Sequence, residues 1–256
     1  MLTPELSVVL PAYNERDGLA AAAAAYLRDL PAVGVTAFEL ILVDDGSTDG
    51  TGEAAEGLAR ADDRVRVVRH PRNRGQVAAI LSGFRAARGA VLTHNGVDLP
   101  FRPADTAGPL GMVRAGADVV VVERADRRAY GVARWAMSRA NVALLRLLFG
   151  SPFRDHNFVQ FFRREVVAAV PVLSAGVSTV TPELILRARR AGFAVRACSA
   201  EYHRRATGRS TVTARKAVHT LAETLRLWRL MRPGAAAGAP PVVVPAGRPA
   251  LTGALS

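Results

Sequence analysis

The sequence predicts an α/β sandwich built on a mostly parallel central sheet. Three observations carry that expectation. Short apolar runs rich in β-branched residues alternate with longer helical patterns. The links between them are short, as in successive strand–helix units. Half of the 256 residues are hydrophobic, enough for a full core.

The strands are expected at Leu6–Leu10, Phe38–Val43, Val65–Val68, Ala90–Thr93 and Val119–Val122. Helical patterns fall between them at Asp17–Leu30, Thr51–Arg60, Gln76–Arg88 and Thr106–Ala115. Asp49 is suited to cap the second helix by accepting a backbone N–H. The second half changes character. Tyr130–Phe149 reads as a long helix with an apolar face, Phe158–Phe162 as a strand and Arg164–Val170 as a short helix. Pro182–Ala191 reads as a helix with proline in its first turn, then Gly192 and a strand at Phe193–Ala197. Ala214–Met231 closes as an amphipathic helix. From Arg232 onward Pro, Gly and Ala dominate, which predicts one domain over 1–231 and a disordered tail over 232–256.

Charge and cysteine content narrow the partners. The formal net charge of +12 suits a phosphate-bearing substrate or an anionic membrane surface. The basic residues lack the aromatic interleaving of single-strand binders, so nucleic acid is not expected. One cysteine, Cys198, excludes an intramolecular disulfide and fits a cytoplasmic setting. No signal peptide is visible, and no run reaches the ~20 apolar residues that span a bilayer.

Two runs carry most of the functional signal. Ser7–Glu15 ends in Pro-Ala-Tyr-Asn-Glu, and Leu40–Asp49 ends in Val-Asp-Asp-Gly-Ser-Thr-Asp. Both place polar residues at the carboxyl ends of strands, where open parallel sheets bind ligands. Tyr13 can pack on a base, and Glu15 can accept hydrogen bonds from ribose hydroxyls or base N–H groups. Asp44 and Asp45 repel each other unless compensated, and a nucleobase N–H is a suitable partner for Asp45. A plain capped turn is the simpler reading of each run taken alone.

Taken together, and in order with Asn73-Arg-Gly-Gln-Val77, His94–Pro100, Arg154–Arg163 and His203–Ser210, these runs resemble the family 2 glycosyltransferases. The resemblance is to their polyprenyl-phosphate (dolichyl-phosphate) mannosyl- and glucosyltransferases, over about residues 6–215. It implies the GT-A fold, the Rossmann-like sandwich of nucleotide-diphospho-sugar transferases. It also implies transfer of a hexose from a GDP-mannose or UDP-glucose type donor to an acceptor, a polyprenyl phosphate, with inversion. A non-catalytic nucleotide-sugar-binding protein is the alternative.

The resemblance assigns nucleotide-sugar contacts to Pro11, Tyr13, Glu15, Asp44, Asp45, Gln76, Asp98, Arg124, Arg134, Arg205 and Ser210. It assigns catalytic work to Asp98, Asp155 and Arg205. The family's Asp-x-Asp motif, which binds Mg²⁺ or Mn²⁺, is damaged: Gly96 stands in place of its first aspartate, leaving Asp98. Asn95 is at most a neutral oxygen ligand. Either Asp98 shares a weakly held ion with the donor diphosphate, or arginines replace the metal. If the acceptor is a hydroxyl, a base is required, with Asp155 or His156 as candidates. Peripheral contact with the cytoplasmic membrane face, a homodimer and a membrane-subunit partner are all compatible with the chain.

Overall fold

The computed structural model describes residues 3–125, 132–174, 176, 178–203 and 214–232. These fall into two compact units that meet in sequence at Val97 and Asp98. The tail expected over 232–256 lies outside the described residues beyond its first, Arg232.

The first unit alternates strand and helix as expected: β1 (Leu6–Ala12), α1 (Arg16–Ala32), β2 (Phe38–Asp44), α2 (Thr51–Ala61), β3 (Val65–Arg69), α3 (Gln76–Ala86) and β4 (Val91–His94). The strand order is β3-β2-β1-β4, and every pair is parallel. Leu6, Val8, Val9, Leu10 and the whole of β2 are buried, as strands covered on both faces must be. Helix α3 packs directly on β1. At Gly83 a Cβ would lie 2.3 Å from a methyl of Val9, so only glycine allows this approach.

One strand end differs from expectation. β1 does not stop before Pro11 but continues to Ala12, in register with Val43 and Asp44 of β2. The Val9 carbonyl accepts from Asn95 beyond β4, and the Ala12 carbonyl accepts from Asp45 beyond β2. This alternation turns Pro11 toward the β4 side, where pairing has ended at Val9. The missing proline N–H therefore breaks no ladder bond.

At the opposite end of this sheet, Glu39 ties three segments together. It accepts from the Ser7 hydroxyl at 2.6 Å, the Arg88 N–H at 2.5 Å and the Arg66 guanidinium at 2.9 Å. Burial pushes its carboxyl pKa up, but the bonds from Ser7, Arg88 and Arg66 outweigh burial and hold it below the usual value. A depressed pKa stabilises the fold above the unfolded-state value, and that contribution is lost as pH falls through the folded-state value. Glu39→Gln is therefore expected to cost about 2 kcal/mol at neutral pH. The gap to wild type should narrow in acid below about pH 4, and urea melts at both pH values check this. A gap that widened in acid would show that the carboxylate is not the stabilising species.

The second unit holds a 3₁₀ turn (Pro103–Thr106), α4 (Ala107–Arg114), β5 (Val119–Arg124), α5 (Val132–Phe149), β6 (Val159–Arg163), α6 (Arg164–Ala169), α7 (Val180–Arg190), β7 (Val195–Ala200) and α8 (Ala214–Leu230). Its strand order is β6-β5-β7, with β6 antiparallel and β7 parallel to β5. The valines at 119–122 are fully buried, and Phe101 packs edge-on against Phe158 and Phe161. β7 starts two residues later than expected and runs to Ala200; its exposed positions gave it no clear apolar pattern. Among the described residues, no helix is long and apolar enough to cross a membrane.

Candidate active site

In the first unit the carboxyl ends of β1 and β2 are laced together by side chains. The Asn14 N–H donates to Ser47 Oγ at 3.0 Å, and the Thr48 N–H donates back to Asn14 Oδ1 at 3.0 Å. The Glu15 N–H donates to Thr51 Oγ1, and the Arg16 N–H to Asp49. Asn14 is held at φ 54, a conformation asparagine tolerates better than most residues. Asp49 accepts the Thr51 N–H at the start of α2, as its capping role predicts, although Gly50 occupies the N-cap position itself. The lacing leaves Tyr13 46% exposed at the rim, with Glu15 half-buried beside it and Pro11 below.

The two aspartates are compensated from within the protein. Asp44 accepts the Ser47 N–H and the Arg69 guanidinium. Asp45, only 3% exposed, accepts from His70 Nδ1 at 2.7 Å, the Arg74 N–H at 2.9 Å and the Gly75 N–H at 2.7 Å. His70 Nε2 in turn meets Ser82 Oγ on α3 at 2.9 Å. Asp45 thus fixes the 70–75 loop, while Arg74 on it and Gln76 at the start of α3 remain exposed. Gly46, at φ 72, lies against this loop: a Cβ there would come within 2.4 Å of the Arg72 backbone. His70 was not singled out in the sequence, because the contact that gives it meaning spans 25 residues.

The turn after β4 tests the fit of a divalent cation. Gly96 offers no ligand. The Asn95 amide is buried and committed: Nδ2 donates to the Tyr26 hydroxyl at 2.8 Å, and Oδ1 accepts the Gly96 N–H. Burial pushes the Tyr26 phenol well above its usual pKa, so it stays protonated. Asp98 is half-buried in the turn, next to Leu99 at φ 49. Among the described residues, no three His, Cys, Asp or Glu side chains are grouped to hold a metal ion. The turn thus supplies one carboxylate, Asp98, and a divalent ion held there would take most of its oxygen ligands from the donor diphosphate.

In the second unit β5 ends in Arg124, and the loop before β6 brings Asp155 to it. Arg124 Nε donates to Asp155 Oδ2 at 2.5 Å and Nη2 to Oδ1 at 3.0 Å, a bidentate pair. The guanidinium also lies 5.2 Å from the Phe158 ring centroid and 5.4 Å from that of Tyr202. Nη2 reaches the Asn157 carbonyl, and Thr181 donates to the Asn157 amide oxygen. His156 is buried. Its Nε2 meets Ser151 Oγ at 2.6 Å, and its carbonyl accepts from Gln160. Glu183, in the first turn of α7, is fully buried, accepts the Leu173 and Ser174 N–H groups and pairs with Arg187. The Cys198 thiol is raised to about 11 by burial and by Glu123, so it is no nucleophile at neutral pH.

Arg205 and Ser210 lie outside the described residues, and of Arg134 only the helical backbone is described. Of the remaining predicted contacts, the first unit gathers Pro11, Tyr13, Glu15, Asp44 and Asp45 at one sheet edge. The second unit brings Arg124 to Asp155.

The profile of the family described as "Glycosyl transferase family 2" matches residues 7–170. The chain belongs to this family. It is 33% identical over 202 residues to the undecaprenyl-phosphate 4-deoxy-4-formamido-L-arabinose transferase of Pseudomonas aeruginosa (strain LESB58), covering 73% of this chain and 58% of that protein. It is 35% identical over 202 residues to glycosyltransferase AglD of Haloferax volcanii, covering 75% of this chain and 32% of that one. The chain thus spans little more than half the length of the first of these relatives and a third of the second. Among solved structures, the glucosyl-3-phosphoglycerate synthase of Mycobacterium tuberculosis in complex with Mn²⁺, UDP-glucose and phosphoglyceric acid superposes with a TM-score of 0.66 at 21% identity, covering 88% of this chain and 80% of that one. That likeness shows the GT-A fold.

Proposed function

We propose that this family 2 glycosyltransferase moves a hexose from a GDP-mannose or UDP-glucose type donor to a polyprenyl phosphate, with inversion. One observation carries the choice of acceptor. Both candidate bases are engaged in internal contacts, Asp155 with Arg124 and His156 with Ser151. A hydroxyl acceptor needs a base. A phosphate monoester is already anionic at neutral pH and needs a fixed cation instead. The names of the relatives point the same way.

On this reading residues 1–231 act as one catalytic domain. Tyr13 and Glu15 receive the nucleoside on the edge that Asp44 and Asp45 hold in shape. Arg124 meets phosphate, and Asp155 orients it without taking a proton. An acceptor phosphate oxygen attacks the anomeric carbon as the bond to the donor diphosphate breaks, and the nucleoside diphosphate leaves with the electron pair. Catalysis rests on positioning and charge neutralisation. Asp98 with the donor diphosphate would hold a weakly bound Mg²⁺ or Mn²⁺, or arginines would take the ion's place. The lipid-linked acceptor places the reaction at a membrane surface, with peripheral contact on the cytoplasmic side.

The test is transfer to a short-chain polyprenyl phosphate from each donor, with Mn²⁺ and with EDTA. Turnover with one donor is the expected result: persistence in EDTA would assign the diphosphate charge to arginines, and turnover only with Mn²⁺ would assign it to an ion shared by Asp98 and the diphosphate. Tight donor binding without turnover would favour a non-catalytic nucleotide-sugar-binding protein.

A further inference from the structure

Helix α8 carries two apolar stripes. One side, through Thr224, Leu227 and Met231, is buried, and Leu227 and Met231 pack with Leu186 and the half-buried Phe149. The other side carries Val218, Leu221 and Leu225, which share a face at i, i+3 and i+7. Val218 is 66% exposed and Leu221 is 47% exposed, while Leu225 is half-buried. A third exposed aliphatic side chain, Leu147 at 82%, stands on α5, the helix that packs against α8. The outward face of a surface helix is ordinarily polar, so an apolar one marks a surface with something to bind.

Charge selects the occupant. Arg226 and Arg229 are exposed on α8, and Arg232 follows it, stacked 4.1 Å over Trp228. The sequences of α5 and α8 contain a single acid, Glu223, which is half-buried and faces His219 at 3.3 Å. A second copy of this chain would set the same cations against each other across a two-fold interface. An anionic bilayer offers phosphates for the arginines and an acyl boundary for the apolar face.

We infer that α8 docks in the plane of an anionic membrane interface, with Val218 and Leu221 in the acyl boundary and Arg226 and Arg229 at the headgroups. This deepens the lipid-acceptor reading and takes its purpose from it, but the surface is testable without any acceptor. The full chain is to be sedimented with vesicles of phosphatidylcholine alone and of phosphatidylcholine with phosphatidylglycerol, neither containing polyprenyl phosphate. Partition onto the anionic vesicles is expected to be at least about tenfold stronger and to fall with salt. Val218→Glu with Leu221→Glu should lower it about tenfold, and Arg226→Glu with Arg229→Glu by a similar factor. Circular dichroism should be unchanged in both, since all four side chains face outward.

Equal partition onto both vesicles would overturn the inference, as would anionic binding indifferent to the Val218 and Leu221 changes. So would a concentration-dependent dimer, dispersed by those changes, with no vesicle binding. Transfer to a water-soluble short-chain polyprenyl phosphate is to be measured on the same variants. Loss of vesicle binding with transfer intact supports the docking surface separately from the reaction. Absence of transfer in wild type that still docks would sink the reaction reading alone.

Discussion

Replacing Arg124 with alanine is expected to lower glycosyl transfer at least about a hundredfold, with Asp155→Ala close behind. The pair is bidentate and mostly buried, and rings of Phe158 and Tyr202 flank the guanidinium. Removing either partner breaks a bidentate ion pair in a mostly buried setting, at about 3–5 kcal/mol. The double variant should therefore be much less than additive in stability. Activity separates orientation from base catalysis. If Asp155 took a proton from the acceptor, Asp155→Asn would remove the acidic limb of the pH–rate profile. As a positioning residue, its replacement should lower kcat while the profile keeps its shape. Arg124→Lys should rescue little, because a single ammonium cannot reproduce the forked contact with Asp155. A pH profile flattened on the acid side in Asp155→Asn would return Asp155 to the role of base and reopen the hydroxyl acceptor.

What the sequence made legible follows the range of the interactions. Strand and helix periods are local, so β1 to β5 and α1 to α3 are found within a few residues of their expected places. The polar ends of β1 and β2 are legible because parallel topology fixes where carboxyl ends go. Contacts across long sequence separations are not. Nothing adjacent to Asn95 in the chain announces that its amide turns inward to Tyr26, 69 residues away. Nothing near Arg124 announces the two rings that flank it, since Phe158 and Tyr202 come from separate segments. Helix α8 shows a different limit. Its apolar residues predict a buried face, but periodicity cannot say which of two apolar faces is turned in. Packing decided for Leu227 and Met231 and left Val218 and Leu221 outside.

Asp45→Ala is expected to weaken nucleotide binding about a hundredfold and to destabilise the protein by about 3 kcal/mol. The reason is indirect. Its carboxylate accepts three bonds from the 70–75 loop, through His70, Arg74 and Gly75, and has almost no surface of its own. Losing it removes the Arg74 N–H's side-chain acceptor, leaves the Gly75 N–H with Asn73 alone and His70 with Ser82 alone, and loosens the loop that leads into α3. Amide exchange at Arg74 and Gly75 should rise sharply in this variant. Gly46→Ala attacks the same contact from the other side. The glycine's φ of 72 disfavours any side chain, and its Cβ would meet the Arg72 backbone, so the loop must be displaced. The two variants should share one signature: weaker nucleotide binding together with faster exchange at Arg74 and Gly75. A direct contact between Asp45 and the base predicts something else, a loss of affinity in Asp45→Ala with the loop amides still protected. Measuring exchange on nucleotide-free protein distinguishes the two, because no base is present to be lost.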